Sequence, residues 1–156
     1  MEIRRATARD APDIALLEQD IFPDAWDERS VCRVICAAHA MCFCATEGER
    51  VIAYLLGVLI PPEGEIYRLA VTPGKRRRGI GYRLLDYAAK TERGRGLETL
   101  FLEVRRGNIP ARHLYRSYGF REMEIRRDYY RDVGADGQVH REDAVVMLRS
   151  HERTDF

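Results

Sequence analysis

The sequence contains no long apolar run. Nothing in its 156 residues approaches the roughly 18 consecutive apolar positions of a membrane-spanning helix, and the opening MEIRRATARD puts no apolar core behind its basic start. Neither a membrane anchor nor a secretory leader is expected, and a cytoplasmic location is. Excess charge is missing too: 26 Lys and Arg stand against 25 Asp and Glu, which gives no footprint for direct nucleic-acid binding. No Pro/Gly/Ser-rich tract marks a linker and no internal repeat occurs, so one domain is expected over 1–150, with 151–156 a flexible tail. Cysteine is confined to Cys32, Cys36, Cys42 and Cys44. Zinc sites pair two short Cys or His knuckles across a longer gap, and no second pair exists here; these thiols are expected as small buried hydrophobes, with no metal bound. No motif specifies an oligomeric state.

What is present is periodicity. Ile14, Leu17 and Ile21 recur at helical spacing after Asp10, a candidate N-cap, and a second helix is predicted from Asp27 through Val31, Val34 and Ile35 to about His39. Between them FPDAW reads as a turn carrying two exposed aromatics, Phe22 and Trp26. Strands are predicted at Ile3 to Arg5, Met41 to Thr46, Val51 to Leu59, Glu65 to Val71, Leu100 to Val104, Phe120 to Arg127 and Ala144 to Leu148. Helices are predicted from Ile80 to Gly94 and from an Asn108 cap to Gly119, and Arg131 to Glu142 reads as a polar loop. The order β-α-α-β-β-β-α-β-α-β-β implies an α/β (α+β) fold with helices on both faces of a mixed sheet.

One junction carries chemistry. Arg76, Arg77, Arg78, Gly79, Ile80 and Gly81 lie where a strand passes into a helix. The first N-H groups of a helix have no partner inside it, and the dipole adds about half a positive charge there, so this turn suits a local anion. Glycines at 79 and 81 are expected to let a pyrophosphate approach the backbone. A Walker loop is not matched, and Leu84 stands where a dinucleotide fingerprint needs its third glycine.

With Arg76, Gly79 and Gly81 in the form [RQ]-x-x-G-x-[GA], the chain resembles the GNAT superfamily of acetyltransferases. The segments YRLAVTPGKRRRGIG, LFLEVRRGNIPARHLYRSYGF, RRDYY and REDAVVM extend the resemblance over about 65–147 to the RimI-type ribosomal-protein-alanine N-acetyltransferases. The resemblance implies a single-domain fold with a mostly antiparallel central sheet and acetyl-CoA as co-substrate. It implies that Leu69, Ala70 and Val71 pair with the pantetheine arm, that residues 76–81 hold the pyrophosphate and that Asn108 contacts the cofactor. It further implies Glu103 as general base, Tyr115 as general acid, and a protein N-terminus, the alanine of a small-subunit ribosomal protein, as acceptor. Phe22, Trp26, Tyr129 and Tyr130 are candidates for its walls. The chain departs from the family in its 131–142 segment, which reads as longer than usual, and in FPDAW, which replaces the commoner FPW-S.

The residues themselves support this chemistry. A peptide α-amine titrates near 8, so about a quarter is neutral at pH 7.5, against about 0.1% of a lysine; a modest base suffices. Glu103 interrupts the apolar run LFLEV, so it either faces a cleft or lies outward, balanced by Arg105. Tyr115 can pack its ring and offer its hydroxyl, or be a core tyrosine, although Tyr118 fits that part better. Glu63, Glu65, Asp132, Asp136, Glu142 and Asp143 are expected to place negative charge near the acceptor and favour a basic peptide. The alternatives are transfer to other N-termini, lysines or a small amine, and a non-catalytic acetyl-CoA-binding or ribosome-associated module.

Overall fold

A computed structural model describes residues 1–150; the expected tail at 151–156 lies outside the described residues. In chain order the elements are β1 (Glu2–Arg5), α1 (Ala11–Ile21), α2 (Glu28–Ile35), β2 (Phe43–Glu47), β3 (Arg50–Ile60), β4 (Glu63–Val71), α3 (Ile80–Arg93), β5 (Thr99–Arg105), α4 (Ile109–Ser117), β6 (Arg121–Val133) and β7 (Val139–Ser150). They follow the anticipated order. The sheet runs β1-β2-β3-β4-β5-β7-β6, antiparallel throughout except for the parallel pair β4 and β5.

Period-two alternation gives the sheet two apolar faces, each covered by helices. In β5, Leu100, Leu102 and Val104 point into a core shared with Leu84, Leu85 and Ala88 of α3 and with Tyr115 of α4. On the opposite face Ile14 of α1 and Val31 and Ile35 of α2 pack on Cys44, Tyr54, Leu56 and Ala70. Fully burying each such Leu or Ile contributes about 1.5–3 kcal/mol, which is why neither helix pair can leave its face. Caps set the helix ends. Asp27 accepts from the Ser30 amide at 2.8 Å, and Asn108 accepts from the Ala111 amide at 3.3 Å. Gly119, at φ 97°, turns the chain out of α4.

Four expectations need correction. Of the cysteines expected to be buried, Cys42 and Cys44 are, whereas Cys32 is half-buried and Cys36 exposed on the α2 side. Helix α2 stops at Ile35 rather than His39, because Ala37–Ala40 turns back and Met41 donates to the Gly57 carbonyl. The 131–142 segment is mostly strand: β6 and β7 continue through Val133↔Val139 around a tight turn whose Gly137 sits at φ 75°. Asp10 precedes α1 but does not cap it; its carboxylate instead takes both Arg4 Nη atoms, at 2.8 and 2.9 Å, and the Thr7 amide.

Two irregularities open the sheet at its centre. Strands β4 and β5 pair from Glu63↔Thr99 to Ile66↔Leu102 and no further, so Tyr67 to Val71 present an unpaired edge toward the gap. On its other side β4 skips one residue against β3, pairing Ile66 with Gly57 and Arg68 with Leu56. Tyr67 is the residue left over, a β-bulge where the strands part. The bulge also inverts the alternation: Ile66 joins the α3/α4 core, while Arg68 and Ala70 face α1.

Candidate active site

The turn before α3 combines a left-handed backbone with free donors. Arg77 at φ 64° and Gly79 at φ 73° bend the chain, and the N-H groups of 77–82 donate to no acceptor among the described residues. No acidic side chain occupies the first turn of α3, and Arg77 and Arg78 are exposed. Arg76 folds back, its Nε donating to the Val71 carbonyl at 3.1 Å, which ties the turn to the free edge of β4. The two glycines do different work. A Cβ on Gly79 meets open space, so its requirement is conformational, whereas a Cβ on Gly81 comes within 3.1 Å of Leu114 Cδ2. Gly81 therefore also lets α4 pack against the start of α3. Asn108 is exposed at the head of α4, its side chain engaged as the cap.

Glu103 is the first β5 residue past the parting, on the face away from α3 and α4. Its carboxylate is neither free nor balanced by Arg105: Arg126 Nη1 lies 2.7 Å from it. Tyr129 and Tyr130 reach the same place from β6. The Glu103 carboxylate beside the Tyr129 phenol raises its pKa, while Tyr130 is pushed up to about 12, first by burial and then by the charge of Glu103. Burial and the neighbouring Glu103 also raise Glu65 above the ordinary carboxylate range. Tyr115 lies on the other side of the gap, its ring 5.4 Å from that of Phe120. Burial, then Tyr130, raises its phenol far above the usual range, and its hydroxyl makes no hydrogen bond among the described residues. Glu103 and Tyr115 thus stand on opposite faces of the sheet, and Tyr130 is within electrostatic reach of both.

The groove on the Glu103 face is organised by a residue that the sequence did not single out. Arg68 reaches fully buried Glu18 on α1, Nε to Oε1 at 3.1 Å, and Glu18 also accepts from the Tyr54 hydroxyl at 2.5 Å and the Trp26 amide at 3.0 Å. The guanidinium lies 4.2 Å from the Phe22 ring centre and 5.2 Å from that of Trp26. Phe22 and Trp26 are therefore half-buried props of the 22–26 turn rather than exposed aromatics, with Trp26 tilted against Tyr67 at 6.0 Å. The expected negative surface is largely spent internally: Asp132 and Glu142 engage Arg105, and Asp143 engages Arg106. Arg68 and Glu18 had left a signal. Each interrupts an apolar pattern, IYRLAV in one case and the Ile14 face of α1 in the other, as Glu103 interrupts LFLEV.

The structure thus offers an unpaired strand edge on β4, a turn of amide donors without acceptors among the described residues, and a Tyr115 hydroxyl without a hydrogen bond. These features fit acetyl-CoA: Leu69 to Val71 can pair with an amide-bearing arm and 77–82 can donate to its phosphates. The chain belongs to the acetyltransferase (GNAT) family, whose model matches residues 11–120. It is an acetyl-CoA-dependent N-acetyltransferase. Among its relatives, the [ribosomal protein bS18]-alanine N-acetyltransferase of Escherichia coli K12 is 33% identical over 138 residues, covering 88% of this chain and 89% of the relative. The N-alpha-acetyltransferase RimI of Mycobacterium tuberculosis is 36% identical over 144 residues, with the same coverage. The solved structure of the E. coli S18-alanine enzyme superposes with a TM-score of 0.85 at 30% identity, covering 99% of this chain and 97% of that one. Arabidopsis thaliana NAA60, solved with acetyl-CoA, shares the fold at 19% identity and a TM-score of 0.80, covering 96% and 97%. No described helix is long and apolar enough to cross a membrane, and no group of three or more potential metal ligands occurs among the described residues.

Proposed function

We propose that this protein transfers the acetyl group of acetyl-CoA to the α-amine of a protein N-terminus, the N-terminal alanine of a small-subunit ribosomal protein in particular. The observation that carries the reading is the disposition of Glu103 and Tyr115 on the two sides of the gap between β4 and β5. Acetyl-CoA supplies an electrophilic thioester. Glu103, on the groove side, takes the proton from the attacking amine, directly or through a water. Tyr115, on the side of α3 and α4, gives its proton to the sulfur, which leaves with the electron pair of the broken C-S bond as the new C-N bond forms. The raised phenol pKa keeps that proton in place until a thiolate develops. Leu69, Ala70, Val71 and the 76–81 turn hold the carrier, and Asn108 holds the start of α4. Phe22, Trp26, Tyr129 and Tyr130 flank the acceptor.

The choice of a chain end rests on the modest base this site provides. A peptide α-amine is partly neutral near pH 7.5 whereas a lysine is almost wholly protonated, so a chain end asks less of the base than a lysine does. Named relatives that act on the alanine terminus of bS18 favour the same acceptor. The test is a set of short peptides beginning Ala-Arg, with the N-terminus free or blocked, beside a lysine control, read by thiol release and mass gain. Transfer to the free terminus alone is expected. Transfer to lysine or small amines instead would overturn the acceptor, and acetyl-CoA binding without turnover on any amine would overturn the catalytic reading.

A further inference from the structure

Arg105 follows Glu103 on the same face of β5, and its guanidinium touches every wall of the groove. Both Nη atoms engage Asp132 of β6, at 2.7 and 3.1 Å, and Nη1 lies 3.4 Å from Glu142 of β7. Nη2 lies 3.6 Å from Asp24 in the 22–26 turn, and the group stacks 4.3 Å from the Tyr130 ring centre. Asp24 in turn meets Arg68: its carboxylate is 3.3 Å from Nη2, and its carbonyl accepts from the same nitrogen at 2.8 Å. Charged contacts therefore run without a break from buried Glu18, through Arg68, Asp24 and Arg105, to the β6–β7 hairpin.

We propose that Arg105 is a positioning residue that fixes the separation of the two acceptor walls, holding the 22–26 turn through Asp24 and the hairpin through Asp132 and the Tyr130 ring. A lone exposed ion pair holds little. This one is different because the planar fork meets a carboxylate on two bonds and the chain of contacts is anchored at a fully buried glutamate. Tyr130 is the member that matters to the reaction, since it stacks on Arg105 and interacts electrostatically with both Glu103 and Tyr115. A displacement of an ångström there mispositions the amine without touching the carrier.

The proposal rests on the reading of this groove as the acceptor site, and its test includes a probe independent of that reading. Arg105→Gln and Asp24→Asn should each lower kcat/KM for the acceptor about tenfold, with acetyl-CoA affinity changed by less than about twofold. Arg105→Lys, which keeps the charge and loses the fork, should recover only part of the loss. Trp26 is the single tryptophan, in contact with Arg68 and Tyr67. Its quenching by acrylamide should rise in Arg105→Gln and in Asp24→Asn, and rise no further in the double variant. Unchanged Trp26 quenching in Arg105→Gln, additive effects in the double variant, or an equal loss of acetyl-CoA affinity would overturn the strut. A wild-type protein that acetylates no free N-terminus would overturn the acceptor assignment alone, leaving the Trp26 measurement to decide on the strut.

Discussion

The two sides of the gap between β4 and β5 are made of different materials. The side proposed for the carrier is backbone: an unpaired strand edge, a left-handed turn at Arg77 and Gly79, and amides that donate to nothing within the described chain. The side proposed for the acceptor is side chains: Glu18, Arg68, Asp24, Arg105 and Asp132 in one electrostatic chain, with Phe22, Trp26 and Tyr130 stacked on its cations. A backbone site depends on local conformation and accepts any side chain that permits it. A site of paired charges depends on which residues meet across the fold, so a change in one member is felt by its partners.

The sharpest way to break this contrast is to remove the buried charge beneath the acceptor turn. Glu18→Ala leaves the Arg68 guanidinium without its buried partner and the Tyr54 hydroxyl without an acceptor, and should destabilise the protein by about 3–5 kcal/mol in urea unfolding. Acetyl-CoA affinity of the molecules that remain folded should not change. A parallel loss of affinity would show that the two sides are one unit.

A smaller effect is expected on the carrier side. There α3 and α4 are joined by the Tyr118 hydroxyl donating to Asp86 at 2.9 Å. The Lys90 ammonium, and then that hydroxyl, hold the Asp86 carboxyl below its ordinary 3.8. A depressed folded pKa contributes stability above the unfolded value, which is lost as pH falls through the folded one. Asp86→Asn should therefore cost only about 0.5 kcal/mol at pH 7, because the pair is solvent-exposed, and the gap to wild type should close in strong acid. A gap that persists in acid would assign the effect to packing.

The same contrast explains what was legible in the sequence. The Arg76 to Gly81 turn, the Asn108 cap and the Gly119 stop are local features, and each was readable from residue type and spacing. The β6–β7 hairpin was not, because residues 131–133 and 139–142 have no helix over them and so carry no apolar alternation. The bulge at Tyr67 leaves no mark in composition, yet it turns Arg68 toward α1 and thereby builds the acceptor turn. Glu103 and Tyr115 were legible as candidates through the family resemblance. Their opposite faces follow from the alternation of β5, but that the strands part beside them follows only from where β4 and β5 stop pairing.

The most direct test of the account is the steady-state rate of Tyr115→Phe with a free Ala-Arg peptide, measured beside its acetyl-CoA affinity. The substitution keeps the ring against Phe120 and removes only the hydroxyl. The account predicts a fall in kcat of about 10²-fold with acetyl-CoA affinity unchanged. An undiminished kcat would contradict the assignment of Tyr115 as the proton donor at this gap.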